Sequence, residues 1–256
     1  MLYEEERKLK IVKYLSKYSR ASVQELSKLF QVSESTVRRD LQELESARLL
    51  KRTHGGAVCR ENYNFEPAFV DKADQFRKEK ESIAKKAAEL IQDGDTLVID
   101  SGTTTLYLAR ELKQFSGLKV VTNSIILAQE LQNDEAAEVI VIGGVLRQNT
   151  RSLVGPIAEQ TLGLLRVDKA FIGTNGMDLA SGLTTPNLSE AAVKRKMIAI
   201  AAQVIVLADS TKIGRQAFAG FADLAQVDTC IIDDKAPPDF IAGMRELGTL
   251  VHVVSP

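Results

Sequence analysis

A chain of 256 residues with 45% apolar residues has enough material for one large core or two unequal ones. It holds no apolar run of about 18 residues, which excludes a membrane-spanning helix, and its charged start, MLYEEERKLK, lacks the apolar centre of a secretory signal, so the expected location is the cytoplasm. The net charge of -1 is unevenly spread: residues 1–60 carry 13 Lys/Arg against 8 Asp/Glu, a basic head on an acidic remainder, which points to a polyanionic partner for the head.

The first element, EEERKLKIVKYLSKYS, spaces Leu9, Ile11, Val12, Leu15 and Tyr18 as an amphipathic helix. In ASVQELSKLF, Ser22 and Glu25 form a capping box ahead of an apolar face of Val23, Leu26, Leu29 and Phe30. After the short link QVS, Ser33 can cap a third helix, ESTVRRDLQELESARLL, with Val37, Leu41 and Leu44 turned inward. Two short helices joined by a few residues read as a helix-turn-helix. Burying that apolar stripe leaves Ser35, Arg38, Arg39 and Gln42 on other faces, and these types bond base edges and phosphates. The plainer alternative is a solvated face with ion pairs such as Arg39 to Glu43. LLKRTHGGAVC then reads as a hairpin with a glycine-rich tip at His54-Gly55-Gly56 and Lys51 and Arg52 beside it: a basic wing.

The stretch SESTVRRDLQELESARLLKRTHGGAV resembles the DNA-binding head of the DeoR family of bacterial transcriptional regulators. The resemblance implies an α+β winged helix-turn-helix over residues 1–58, with Ser33 through Asp40 in the recognition helix. The DNA-facing residues expected are Ser33, Ser35, Thr36, Arg38, Arg39, Gln42, Lys51, Arg52 and His54. Residues 59–78 are polar and without a clean period, a linker that either transmits a signal or serves as a passive tether. Cys59 and Cys230 lie far apart and in no metal-ligand spacing, so free thiols are expected over a single disulfide.

From residue 79 to 256 helices alternate with short, continuously apolar strands: TLVID, KVVTNS, EVIVIGG, KAFIGTNG, QVIVLADS, TCIID and LVHVV. That alternation predicts an α/β body with a mainly parallel sheet buried on both faces. Ligands of such sheets sit beyond the carboxyl ends of the strands. The residues there are Asp100, Ser101, Gly102, Thr103, Thr104 and Thr105 after the first strand, and Asn123 after the second. Gly143, Gly144 and Arg147 follow the third, Asn175 the fourth, and Asp209 and Lys212 the fifth. Gly102 suits close backbone approach, and a helix opening at the threonines aims free amides at the same place, which together suit a phosphate. Each part has a plainer reading as a turn, a bend or a surface ion pair, and Glu190 with Lys194 fits an i,i+4 helical pair.

The body also resembles the DeoR-family effector domain, through DSGTTT, VVTNS, IGG, IGTNGMD, GLTTPNLSEAAVKRKMI and LADSTKIG. That domain is similar to the ribose-5-phosphate isomerase and coenzyme A transferase fold. The resemblance implies a sensor with no cofactor and no metal, whose effector is a sugar phosphate held at Asp100 to Thr105. Asn123, Glu190 and Lys212 would reach the sugar or close the site, and Lys194 is expected among the effector-binding residues. GTNGMD and GLTTPNLSE look most like members that control fructose use, which makes fructose 1-phosphate the first expectation. The expected partners are double-stranded operator DNA, the phosphorylated sugar and further copies of the chain, as a dimer or tetramer, with no membrane. The competing class is an isomerase-type enzyme, for which Asp100, Asp178, Glu190 and Asp209 are the available carboxylates, but no acid–base pairing stands out and no nucleotide-binding or metal motif is present.

Overall fold

The computed structural model describes residues 4–18, 20–47, 49–53, 55–59, 69, 72, 75–132 and 137–256. His54 and most of the 59–78 join lie outside the described residues. The chain divides into two compact units, Met1–Asn62 and Tyr63–Pro256.

The first unit runs α1 (Glu4–Tyr18), β1 (Arg20–Ser22), α2 (Val23–Phe30), α3 (Glu34–Ser46), β2 (Leu50–Thr53) and β3 (Gly56–Cys59). Ile11, Leu15, Leu26, Val37, Leu41 and Leu50 form its core. Leu9, expected on the apolar face of α1, is 65% exposed, because the buried stripe runs Arg7–Ile11–Leu15 and Leu9 is offset by two residues. Leu29 is exposed too, in the last turn of α2 before Gln31 takes a left-handed conformation. The Ser22–Glu25 capping box is present. Helix α3 is shorter than its sequence suggests: Leu49 N–H bonds back to Leu44 O at 2.9 Å, and Leu50 already starts a strand.

β1 was not expected. It pairs antiparallel with β3, so the wing is a three-stranded sheet, β1-β3-β2. Gly56 is the residue that permits this: a Cβ there would sit 2.0 Å from Ala21 O. Arg7 reaches the fully buried Asp40 with two bonds of 2.6 and 3.0 Å, tying α1 to α3.

The second unit contains α4 (Arg77–Ala88), β4 (Thr96–Ile99), α5 (Thr103–Glu111), β5 (Leu118–Thr122), α6 (Ile125–Leu131) and β6 (Ala137–Val141). Then come β7 (Val145–Arg147), β8 (Ser152–Val154), α7 (Pro156–Gly163), β9 (Val167–Gly173), β10 (Gly176–Asp178) and β11 (Gly182–Thr185). It closes with α8 (Leu188–Ala199), β12 (Ala201–Leu207), β13 (Ala219–Ala222), β14 (Thr229–Asp233), α9 (Pro238–Glu246) and β15 (Leu250–Val254). Seven strands form one parallel sheet in the order β15-β14-β12-β9-β4-β5-β6.

Successive strand residues point to opposite faces, and the two cores follow that alternation. Leu97, Ile99, Phe171 and Leu207 pack with Ile83, Leu108 and Leu127 from α4, α5 and α6. Val98, Ile172 and Val206 pack with Leu162, Met197 and Phe240 from α7, α8 and α9. Cys230 lies in this second core, where burial pushes its thiol pKa up to about 12, so it is held as an inert thiol. Two small additions escaped the periodicity: the β7–β8 hairpin and an antiparallel β10-β11-β13 sheet. Their strands are three or four residues long, too short to show alternation. Among the described residues no helix is long and apolar enough to cross a membrane.

Candidate functional site

In the second unit, β4 delivers Asp100 to the carboxyl edge of the sheet, fully buried. Its Oδ2 accepts from Gly173 N–H at 3.1 Å and forms an ion pair with Lys194 from α8. Lys194 Nζ also donates to Gly173 O at 2.9 Å. Asp100 Oδ1 is buried with no hydrogen-bond partner among the described residues. Burial pushes the Asp100 carboxyl upward, against the pull of Lys194.

One residue on, Ser101 N–H donates to Asn123 Oδ1 at 3.0 Å, which joins the ends of β4 and β5. Gly102 caps α5 without a side-chain bond, so the amides of Thr103, Thr104 and Thr105 open the helix with no capping oxygen. The glycine is extended, with φ 179, and a Cβ would meet Thr105 Oγ1 at 3.1 Å. Its backbone is therefore one that any residue can adopt, and what the absent side chain gives is room beside Thr105. The three threonines differ. Thr105 is fully buried and its hydroxyl lies 2.7 Å from Asp100 O and 3.1 Å from Gly102 O, so it holds the turn together. Thr103 and Thr104 lie in the same first turn, nearly buried.

Glu190, from the first turn of α8, is the second buried carboxylate. Its Oε1 accepts from Thr150 Oγ1 at 2.6 Å and Ser152 Oγ at 3.1 Å, and lies 2.5 Å from Arg147. Its Oε2 lies 3.2 Å from Thr185 Oγ1, and that hydroxyl is 3.1 Å from Asn175 Oδ1. Burial pushes Glu190 up, but the Thr150 bond and the charges of Lys194 and Arg147 outweigh it and hold the carboxyl below its ordinary range. Glu190 and Lys194 thus turn to different partners rather than to each other, unlike the simple i,i+4 pair. Thr150, Ser152 and Thr185, which sequence reading did not single out, are the hydroxyls that fix Glu190. No spacing signals them, because they come from a hairpin and an antiparallel strand that only the fold brings to α8.

Gly143 and Gly144 answer to packing. Gly144 has φ +138, and a Cβ on it would lie 2.6 Å from Val154 O, so the β7–β8 hairpin requires it. Asp209 and Lys212 form a separate cluster after β12. Asp209 caps the turn Ser210–Lys212, and Lys212 Nζ is 3.4 Å from its Oδ2. Asp233, at the end of β14, accepts from Ser210 N–H at 2.5 Å. Burial opposes the charge on Asp209, but Lys212, Thr211 and Lys80 together hold its carboxyl below the ordinary range. Asp178 is spent on the β10–β11 turn, accepting from Ala180 and Ser181 amides at 3.0 Å each. Among the described residues no group of three His, Cys, Asp or Glu is arranged to hold a metal.

In the head, α3 carries Ser33 as N-cap, with Thr36 N–H donating to its Oγ at 3.2 Å and Ser35 and Thr36 hydroxyls at 2.8 Å. Ser33 is therefore occupied in starting the helix. Arg38 and Arg39 are each 63% exposed; Arg38 lies 3.0 Å from Glu34, and Arg39 reaches toward Glu4 at 3.9 Å, not Glu43. Gln42, Lys51 and Arg52 are also exposed. Arg52 N–H donates to Glu45 Oε1 at 2.8 Å, which pins the wing to α3. Asp40, in the same helix, faces inward and pairs with Arg7.

Residues 7–62 match the DeoR-like helix-turn-helix domain, and residues 75–234 match the DeoR C terminal sensor domain. The chain is 41% identical to the HTH-type transcriptional regulator GlpR of Haloferax volcanii, covering 96% of each chain. It is 37% identical to the HTH-type transcriptional repressor GlcR of Bacillus subtilis, over 91% of this chain and 89% of that one. Among solved structures, it resembles a D-ribose-5-phosphate isomerase in complex with phospho-erythronic acid, at 18% identity, TM-score 0.41 and 53% of each chain. The chain belongs to the DeoR family of transcriptional regulators, with a helix-turn-helix head and a C-terminal sensor domain.

Proposed function

We propose that this chain represses a sugar uptake or catabolic operon and leaves its operator when a phosphorylated sugar, fructose 1-phosphate first among them, binds the sensor body. The observation that carries this reading is the α5 N-terminus: the amides of Thr103, Thr104 and Thr105 start a helix with no capping side chain, directly after a buried Asp100. Such amides and the positive end of the helix dipole favour an anion. A phosphate is the anion that the neighbouring groups suit. Asp100 Oδ1, buried and without a hydrogen-bond partner among the described residues, and the half-buried Ser101 offer bonds to hydroxyls on the attached carbon chain. Asn123, Glu190 and Lys194 set the outline of the site, Lys212 would close it from the separate cluster after β12, and no cofactor enters the scheme.

The head reads DNA through Ser35, Thr36, Arg38, Arg39 and Gln42 on α3, with Lys51 and Arg52 on the wing strand. Two heads from a dimer or tetramer would meet two half-sites. Ligand acts only through its difference in affinity for two conformations, and a coupling of about 1–3 kcal/mol changes DNA affinity roughly 5- to 150-fold. The test is selection of a tight-binding duplex from a random library by the full chain, followed by fluorescence anisotropy on that duplex. Fructose 1-phosphate is expected to weaken binding at least fivefold while fructose leaves it unchanged. A duplex affinity indifferent to every phosphorylated sugar offered would overturn the reading.

A further inference from the structure

We propose that the join ahead of the sensor is read directly by the effector site, through two anchors: Phe69 on the β7–β8 turn that carries the Glu190 partners, and Lys72 on Lys80 at the start of α4. The proposal rests on the effector reading above and adds how that site's state leaves the body.

The first anchor is a backbone bond. Phe69 N–H donates to Asn149 O at 2.8 Å, and Phe69 is itself buried, 7% exposed. Asn149 sits in the turn between β7 and β8, which Arg151 N–H closes on Arg147 O at 2.9 Å. Of its neighbours, Gln148 Oε1 is 3.4 Å from Arg151, while the rest of the hairpin serves Glu190. Thr150, Ser152 and Arg147 all converge on Glu190. One short hairpin therefore holds Phe69 through Asn149 and a buried effector-site carboxylate through Thr150, Ser152 and Arg147. A ligand that draws Glu190 or Arg147 toward itself must move the turn that Phe69 hangs on.

The second anchor is Lys80, a buried lysine, 3% exposed, whose Nζ donates to Lys72 O at 2.5 Å. Its charge also helps keep Asp209 ionised at the end of β12. Next to it Glu79 bonds Lys235 at 2.6 Å, so the first turn of α4 is fixed to the segment after β14. The two anchors thus lead to the two strand-end clusters of the body, Glu190 with Asp100 and Asp209 with Lys212. A passive tether needs neither a buried aromatic nor a join carbonyl bonded to a buried lysine whose charge also acts on Asp209, since a buried charge is costly unless well bonded.

The test is amide hydrogen exchange on the full chain. Phe69→Ala and Lys80→Met are compared with wild type and with Leu164→Ala, an exposed control on the far end of α7. Coupling is reciprocal. Phe69→Ala should raise exchange in 147–152 at least fivefold, Glu190→Gln should raise it in 69–76 by a similar factor, and the control should do neither. A second arm adds fructose 1-phosphate or inorganic phosphate: protection of 101–105 reads the effector site, and altered exchange in 69–80 reads the join. Protection at 101–105 with 69–80 unchanged would overturn the anchors while leaving the effector reading intact. No protection at 101–105 would count against the effector reading alone, because the ligand-free arm still decides the anchors. Phe69→Ala and Glu190→Gln proteins that fold and show no reciprocal effect would overturn the proposal.

Discussion

Lys194 and Asp100 stand 94 residues apart in sequence and form a buried ion pair at the carboxyl edge of the sheet, each less than a tenth exposed. This pair fixes α8 to the end of β4, and so sets the distance between the α5 N-terminus and Glu190. Removing one partner of such a pair leaves an uncompensated buried charge and costs about 3–5 kcal/mol. Lys194→Met is expected to lower stability by about that much, read from urea melts with an unchanged slope. Asp100→Asn combined with Lys194→Met should recover a large part of the loss. A double variant as unstable as the sum of the two single ones would show that the residues act independently.

The acid limb of stability should depend on Glu190. Its carboxyl is held below the ordinary 4.5 in the folded state, where burial is outweighed by Thr150, Lys194 and Arg147. The unfolded chain therefore takes up protons first as pH falls. The stabilisation is whole above the unfolded value, declines as pH falls below it, and is lost through the depressed folded value. Asp100 works in the opposite sense, because burial raises its pKa and protonation relieves that cost. Glu190→Gln should accordingly flatten the fall in urea stability below pH about 4.5. An acid limb equally steep in the variant would place the effect on other carboxylates.

Arg38 is exposed and among the described residues pairs with Glu34 on the same helix, a contact worth little to stability. Arg38→Ala should leave the thermal midpoint within about a degree or two and weaken duplex binding. If it meets a phosphate, the loss is uniform across sequences and the salt slope falls by about one; if it meets a base, specificity relaxes at one position. Unchanged DNA affinity would remove α3 from the interface.

Gly56 tests the wing separately from the sensor. With Ala21 O 2.0 Å from where a Cβ would stand, Gly56→Ala must separate β1 from β3. Loss of duplex binding is expected, with ligand-induced stabilisation of the body unchanged in calorimetry. Full DNA affinity in this variant would contradict the three-stranded wing.

The parallel sheet could be read from the chain because strands such as VIVLA are apolar without a break, as burial on both faces demands. The Ser22–Glu25 box was equally plain, since both of its members lie within one helical turn. What escaped were relationships that run through space. Nothing near Asp100 announces Lys194, and the i,i+4 spacing of Glu190 and Lys194 suggests a pairing that the buried hydroxyls of Thr150 and Ser152 override. The same holds for β1, which exists only because β3 lies beside it, and for Gly144, whose φ of +138 answers to a strand eight residues away. At Gly102 the residue type suggested close backbone approach, whereas the extended backbone ties its smallness to Thr105.

The most direct measurement is a thermal-shift titration of the full chain and of Gly102→Asp with fructose 1-phosphate and with fructose. The extended backbone at Gly102 suits any residue, a Cβ needs Thr105 Oγ1 to yield slightly from 3.1 Å, and a carboxylate there favours the start of α5 while repelling a phosphate at the same amides. A folded variant that ignores fructose 1-phosphate, beside a wild type whose midpoint rises with the phosphorylated sugar and not with its parent, is the predicted result. A wild type and a variant stabilised equally by fructose 1-phosphate would contradict the assignment of the α5 N-terminus as the phosphate site.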